Sequence, residues 1–450
     1  MQDETTFIAL NRFGLGAQFG EGAVIGREGC AWLEAQITPA AAKAPMLDKF
    51  LPSDEIMKAV FKTRFIKDQD EKKSLRKTYR QNLRRELAAR LQYGIETNTP
   101  FAERLVYFWS NHFTISGQRP LVGLATAAYE REAIRPHVFG RFEDLLLSAT
   151  RHVGMLIYLD NAISVGPNSR AGKRRGRSLN ENLAREILEL HTLGVRGGYN
   201  QQDVTEFAKA LTGWSHGALG GKRKIESGSY HGGFEFYPNL HEPGAKTILG
   251  KRYGEEGEQE VVRILKDLAR HPSTARFIAT KLCRHFIADN PPARAVDKLV
   301  KVYMKTDGDL PSLYRALVSM EEAWQPGFPK MKTPYELLLS IYRLTGTYPR
   351  KDKQVTKGLV TLGHVPFNAD SPQGWADTEK HWLTPEALMR RIEWGQSLSR
   401  NMKIEHNPAR YFKEAVGDQA SDEAMKMVAG AETASDGMAL LFASAEFQRR

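Results

Sequence analysis

An apolar helical pattern runs through residues 179–193 and admits few folds. At about 100° per residue, Leu179, Leu183, Ile187, Leu190 and Leu193 fall on one arc, which Ala184 and Leu188 widen past half the circumference. A surface helix needs a narrower stripe, so this one is predicted to be enclosed by other helices in a mainly α, compact multi-helix protein. Ser178 or Asn180 offers the N-terminal cap, and Gly194 stands where a left-handed residue would end the helix. A second helix follows, with Asn200 as cap, Asp203 in its first turn and Gly213 as its stop.

The polar residues on this enclosed helix are the ones to explain. Asn182, Arg185, Glu186 and Glu189 share an arc because three, four and seven positions separate them. His191 lies on the apolar shoulder near Asn180 and Ala184, away from both glutamates. Helical carboxylate metal sites place Glu and His three or four apart, and neither Glu186 nor Glu189 has that spacing to His191. Two readings stay open. Arg185 pairs with Glu181 or Glu189 beside a satisfied core histidine, or Glu186, Glu189 and His191 are catalytic groups in a cleft lined by Asn180, Asn182, Arg185 and Trp214.

The same stretch resembles the bacterial family called domain of unknown function 1800. Its pattern is matched from Asn180 to Gly194, at Gly197, Gly198 and Tyr199, and at Ala208, Leu211, Thr212, Gly213 and Trp214. Further family-like phrases are LNRFGLGA near the start, FWSNHFT at 108–114, YLDN at 158–161, HEPGAKTILG at 241–250, HPSTARFIATKLCRHF at 271–286 and FASAEFQRR at the end. The resemblance spans nearly the whole chain and implies no activity. His364 stands where the family phrase carries glutamine, so no role passes to it.

Two further segments offer acid–base candidates. Pro100 opens a helix on which Leu105, Phe108, Trp109 and His112 follow at helical spacing, so His112 points inward with the aromatics. A buried imidazole with a carboxylate neighbour is an acid or base, and Asp160, at the end of the helical segment 141–164, is the carboxylate to orient it; a plain turn role is the alternative for Asp160. Next, Arg170, Lys173, Arg174, Arg175 and Arg177 form a basic loop ahead of the enclosed helix, either an anion dock or a solvated loop.

Between 215 and 254 the chain turns glycine-rich, and GFEFY and KTILGKRY read as short strands of a small hairpin or ribbon. His216, His231, His241 and Glu242 lie there with no compact metal spacing, although His241 could join a cleft. This β insertion separates helical halves at 1–214 and 255–450, read together as one continuous domain. In the second half Thr333 and Pro334 open a helix, and Trp375 and Trp382 either line a groove for sugar rings or anchor their long loop.

Composition narrows the function classes. Cys30 and Cys283 belong to no paired-thiol motif, and no Walker sequence, nucleophile elbow or H-E-x-x-H is present, so the sequence names no cofactor and no metal. No apolar run approaches the roughly 18 residues that span a bilayer, and the first residues lack the pattern of an export signal, so a cytoplasmic protein is expected. The net charge of +11 favours an acidic polymer or another anionic ligand as partner. Two functions follow as expectations: a hydrolase using His/carboxylate chemistry on a polymeric or glycosidic substrate, or a non-enzymatic polyanion-binding protein.

Overall fold

The computed structural model describes residues 4–119, 122–175, 179–349 and 351–450. Helices dominate, and among the described residues the strands make two antiparallel pairs. The helices that carry the argument are α1 (Gln69–Glu96), α2 (Pro100–His112), α3 (Asn182–Glu186, continued by the π turn Ile187–His191), α4 (Gln201–Leu211), α5 (Pro272–Phe286) and α6 (Pro334–Thr345).

α3 packs on α4, and α4 on the strand Lys246–Ile248, so Leu183, Ala184, Ile187, Leu188 and His191 are buried. Leu179 and Leu190 are only partly covered. The π turn accounts for Leu190: i→i+5 bonding advances less per residue than an α-turn, rotating Leu190 off the packed face and keeping His191 on it. Asn180 Oδ1 accepts from the Asn182 amide at 2.9 Å, which caps the helix start, and Gly194 takes φ 81° after its end. Ser178 lies outside the described residues. Asn200 and Asp203 complete a reciprocal capping box on α4.

The segment expected as one helix over 141–164 is two, Phe142–Arg151 and Val153–Tyr158. The break falls at His152, whose ψ of 135° is extended and whose Nδ1 accepts from the Gly154 amide at 3.0 Å. In the β region KTILGKRY, expected as a strand beside GFEFY, is itself a hairpin of β3 (Lys246–Ile248) and β4 (Lys251–Tyr253), turned by Leu249 and Gly250 at φ 50° and 75°. The other strand, β2 (Phe234–Phe236), instead pairs back with β1 (Trp214–His216), directly after α4.

One apolar cluster draws side chains from Phe7 to Phe447, so the two ends of the chain share a core. An isolated bridge between Met331 and Arg449 seals the C-terminal end against the entry to α6. Among the described residues, no helix is long and apolar enough to cross a membrane. Because the packed and solvent faces of α3 are distinct, Leu188→Ala is expected to cost about 2–5 kcal/mol in urea denaturation, as for other buried leucines. Asn182→Ala, on the exposed side, should stay within about 0.5 kcal/mol.

Candidate functional site

The entry to α6 sets the site. Thr333 and Glu336 form a capping box, with Pro334 at the first helical position. Glu336 thus spends Oε2 on the Thr333 amide at 2.7 Å, while Oε1 meets the guanidinium groups of Arg104, from α2, and Arg450, the latter at 3.2 Å. Burial alone would raise the Glu336 pKa, but Arg450 and Arg104 outweigh it and hold the carboxyl well below its usual range.

Around this carboxylate lies a cavity of about 110 Å³, bounded by α2, the ends of α5 and α6, and the loop 364–382. Phe108, Ser110 and Asn111 enter it from α2, and Thr114 from the turn that follows. Asn111 also fastens the loop, donating to the Trp375 carbonyl at 2.9 Å and accepting its amide at 2.7 Å. His364 lies between the rings of Trp375 and Trp382, at 4.7 and 5.1 Å, and the Trp382 indole donates to the Ala376 carbonyl. The two tryptophans therefore line a hollow and anchor their own loop at once. Phe367 completes the wall at φ 59°, a conformation that non-glycine residues rarely adopt and that gathers at functional sites.

Arg90 approaches from α1. It grips Glu130 through two bonds of 2.7 Å and lies 4.0 Å above the Tyr107 ring. The lining residues with buried polar atoms that lack a hydrogen-bond partner include Arg90 Nη1, Tyr107 Oη, His285 Nε2, Tyr335 Oη, His364 Nδ1 and Trp375 Nε1. Burial lowers the His285 pKa well below normal, aided by Arg450 and Arg104, and burial takes His364 down to about 3. Both imidazoles are neutral at pH 7. Nearby Lys332, with its ammonium 4.3 Å from the Phe447 ring, is pushed down to about 7 chiefly by burial.

Apart from Trp375 and Trp382, the residues singled out by sequence lie elsewhere. His112 and His191 come together, His112 Nε2 lying 3.1 Å from the His191 carbonyl and their rings 6.2 Å apart. Both are neutral, His191 at about 3, because burial and then Lys281 oppose protonation. Asp160 pairs with Arg119 at 2.7 Å, and no contact is recorded between Asp160 and His112. Arg185 reaches Glu181 at 3.3 Å and Glu189 at 3.6 Å, which is the ion-pair alternative read from the sequence. Glu186 is half-buried on the same side, with its pKa raised by burial and by Glu189.

Trp214 is enclosed against Phe234, with ring centroids 5.1 Å apart. His241 binds the Thr212 carbonyl at 2.9 Å and Glu260 at 3.2 Å in a buried group with Lys246. Arg170 and Arg174 line an exposed groove, Lys173 is exposed beside them, and Arg175 closes the short helix Gly172–Arg175. Arg177 lies outside the described residues. Among the described residues, no group of three or more His, Cys, Asp and Glu side chains is arranged to hold a metal.

Arg90, Arg104, His285, Glu336 and Arg450 were missed in the sequence reading. The phrases ending in LCRHF and FQRR flagged two of their positions, but only the folded chain brings them to Glu336.

A family model described as protein of unknown function (DUF1800) matches residues 8–449. The chain belongs to this family. No curated protein and no solved structure matches it.

In this DUF1800 member His364, held at about 3 in the native state against an ordinary 6.5, makes stability depend on acid. Between those values the unfolded chain binds a proton that the native chain refuses, so stability falls as pH drops from about 6.5 toward 3. His364→Gln, which restores the residue of the family phrase, is expected to flatten that decline in urea midpoints measured across the window.

Proposed function

We propose that this cavity binds a small anionic ligand bearing a flat ring, and that His285 and His364 serve it as proton donor and acceptor. The carrying observation is the gathering of several unpartnered buried polar atoms along one hollow, since each such group costs about 1–3 kcal/mol when left unsatisfied. Charge supports an anion. Arg104, Arg450 and Lys332 gather around Glu336, and among the residues lining the hollow Arg90, Arg104, Lys330 and Arg450 face two carboxylates, Glu336 and Asp377, so cationic groups outnumber anionic ones there. The indoles, Tyr107, Tyr335 and Phe367 supply the faces a ring would stack on. The volume is of the order of the roughly 150 Å³ engineered cavity that takes up benzene.

Acid–base work follows from the same charges. A base with a pKa near 3 is weak at neutral pH, but an anion placed beside it favours its protonated form and moves it toward the working range. Hydrolysis of a small ester or amide carrying the anion is the reaction such a pair would serve, with one imidazole taking a proton from water and the other supplying one to the leaving group. An enclosed hollow of this size suits a small molecule or a chain end better than the middle of a polymer.

Benzoate tests the binding step, read by tryptophan fluorescence from Trp375 and Trp382, with benzyl alcohol as the uncharged control. Saturable binding of benzoate and not of the alcohol is expected, weakened about tenfold or more by His285→Gln, equal to about 1.4 kcal/mol. No response of the wild type to millimolar benzoate, or equal response to the alcohol, would refute the proposal.

A further inference from the structure

Away from the buried cavity, three arginines line one surface groove. Arg170 comes from the loop ahead of α3, Arg174 from the short helix Gly172–Arg175, and Arg223 from the helix Lys222–Glu226 inside the β region. Together with Tyr237 and Asn239 they line a groove of about 570 Å³ that contains no carboxylate. We propose that this groove is a binding site for a phosphate or sulfate monoester group, held by Arg170, Arg174 and Arg223.

The first support is pre-organisation. The basic loop is fastened to the chain after β2 by backbone bonds, Ala171 amide to Asn239 carbonyl at 3.0 Å and Gly166 amide to Leu240 carbonyl at 2.9 Å. Buried Glu242 holds Asn168 by its amide at 2.8 Å and by its side chain at 2.6 Å. Gly166 packs so tightly there that a Cβ would lie 2.6 Å from the Glu242 backbone. A loop tied at three points presents its cations without first being ordered, so less entropy opposes binding.

The second support is charge left unspent. Among the described residues, Arg170, Arg174 and Arg223 enter no ion pair, in a protein where most buried arginines have carboxylate or carbonyl partners. Lys224, next in sequence to Arg223, is by contrast engaged by Glu235 and by Tyr237 Oη. Glu255, across the neighbouring hollow that shares Arg170, accepts the Gly244 amide at 2.7 Å. Planar forks from two segments, 170–174 and 223, line this one groove, and guanidinium suits the three free oxygens of a tetrahedral monoester better than ammonium does.

Calorimetric titration at low salt with inorganic phosphate, inorganic sulfate and a sulfated hexasaccharide tests the site. The triple variant Arg170→Gln, Arg174→Gln, Arg223→Gln is expected to bind at least about tenfold more weakly, a modest loss for three charge-assisted contacts. A charge-matched variant on exposed positions of α1, Arg76→Gln, Lys77→Gln, Arg80→Gln, should bind as the wild type does. Preference for the hexasaccharide would assign the anion to a polymer, and equal binding of the free ions would assign it to a small molecule; either outcome supports the site. Equal losses in both triple variants would reduce the effect to net charge and overturn it. So would absence of binding by the wild type, or loss of phosphate binding in His285→Gln with the groove intact, which would place the anion in the buried cavity.

Discussion

Glu336 is buried, and a buried carboxylate persists as an anion only where cations and donors replace the water it has lost. Here those partners come from distant parts of the sequence: Arg104 on α2, Arg450 at the last position, and the Thr333 amide at the start of its own helix. Arg104 also donates to the Gly14 carbonyl, and Arg450 to the Arg12 and His285 carbonyls. One ionised group therefore fixes the relative positions of the N-terminal segment, α2, α5, α6 and the C-terminal end. Pairs of this kind contribute little net stability compared with well-packed apolar side chains, yet removing one partner is costly because the other charge stays buried. Their consequence is specificity of arrangement, and the cavity is the space this arrangement leaves.

The electrostatics of the cavity follow from that centre. Two arginines on one carboxylate leave positive charge over, and His285 feels it together with its own desolvation. His285 is accordingly neutral, and Lys332 is brought to the edge of losing its proton. Under the proposed function, neutral nitrogen atoms beside two arginines that share one carboxylate favour an anion for two reasons at once: it offsets the excess charge, and it accepts the unused donors. The aromatic walls add shape to this preference, because His364 and the two indoles are held by a loop that Asn111 fastens to α2.

Sequence reading reached the elements whose information is local. The apolar arc of α3, the Asn200 capping box and the Thr333–Pro334 start of α6 all follow from residues within a few positions of each other. It failed where distance along the chain matters. Periodicity chose His112 from FWSNHFT as the inward group, and His112 is buried; yet its neighbours Phe108, Ser110, Asn111 and Thr114 are the ones that reach the cavity. A helix wheel gives facing but not the identity of what is faced. No local pattern reports that Arg104 and Arg450 share Glu336, or that the π turn beginning at Ile187 rotates Leu190 outward.

The two anion-favouring places in this chain differ in the physical cost each has to offset. In the cavity the cations are already desolvated, so a ligand meets charges stripped of water and gains from strong local fields, but only if it fits a closed volume with a ring-shaped wall. In the Arg170, Arg174 and Arg223 groove the guanidinium groups remain hydrated, so each contact is weaker, screened by salt, and tolerant of what lies beyond the anion. Selectivity by shape therefore belongs to the buried site, and salt-dependent capture to the surface one. The net charge of +11 serves the second by raising the local concentration of anions and leaves the choice made by the first untouched.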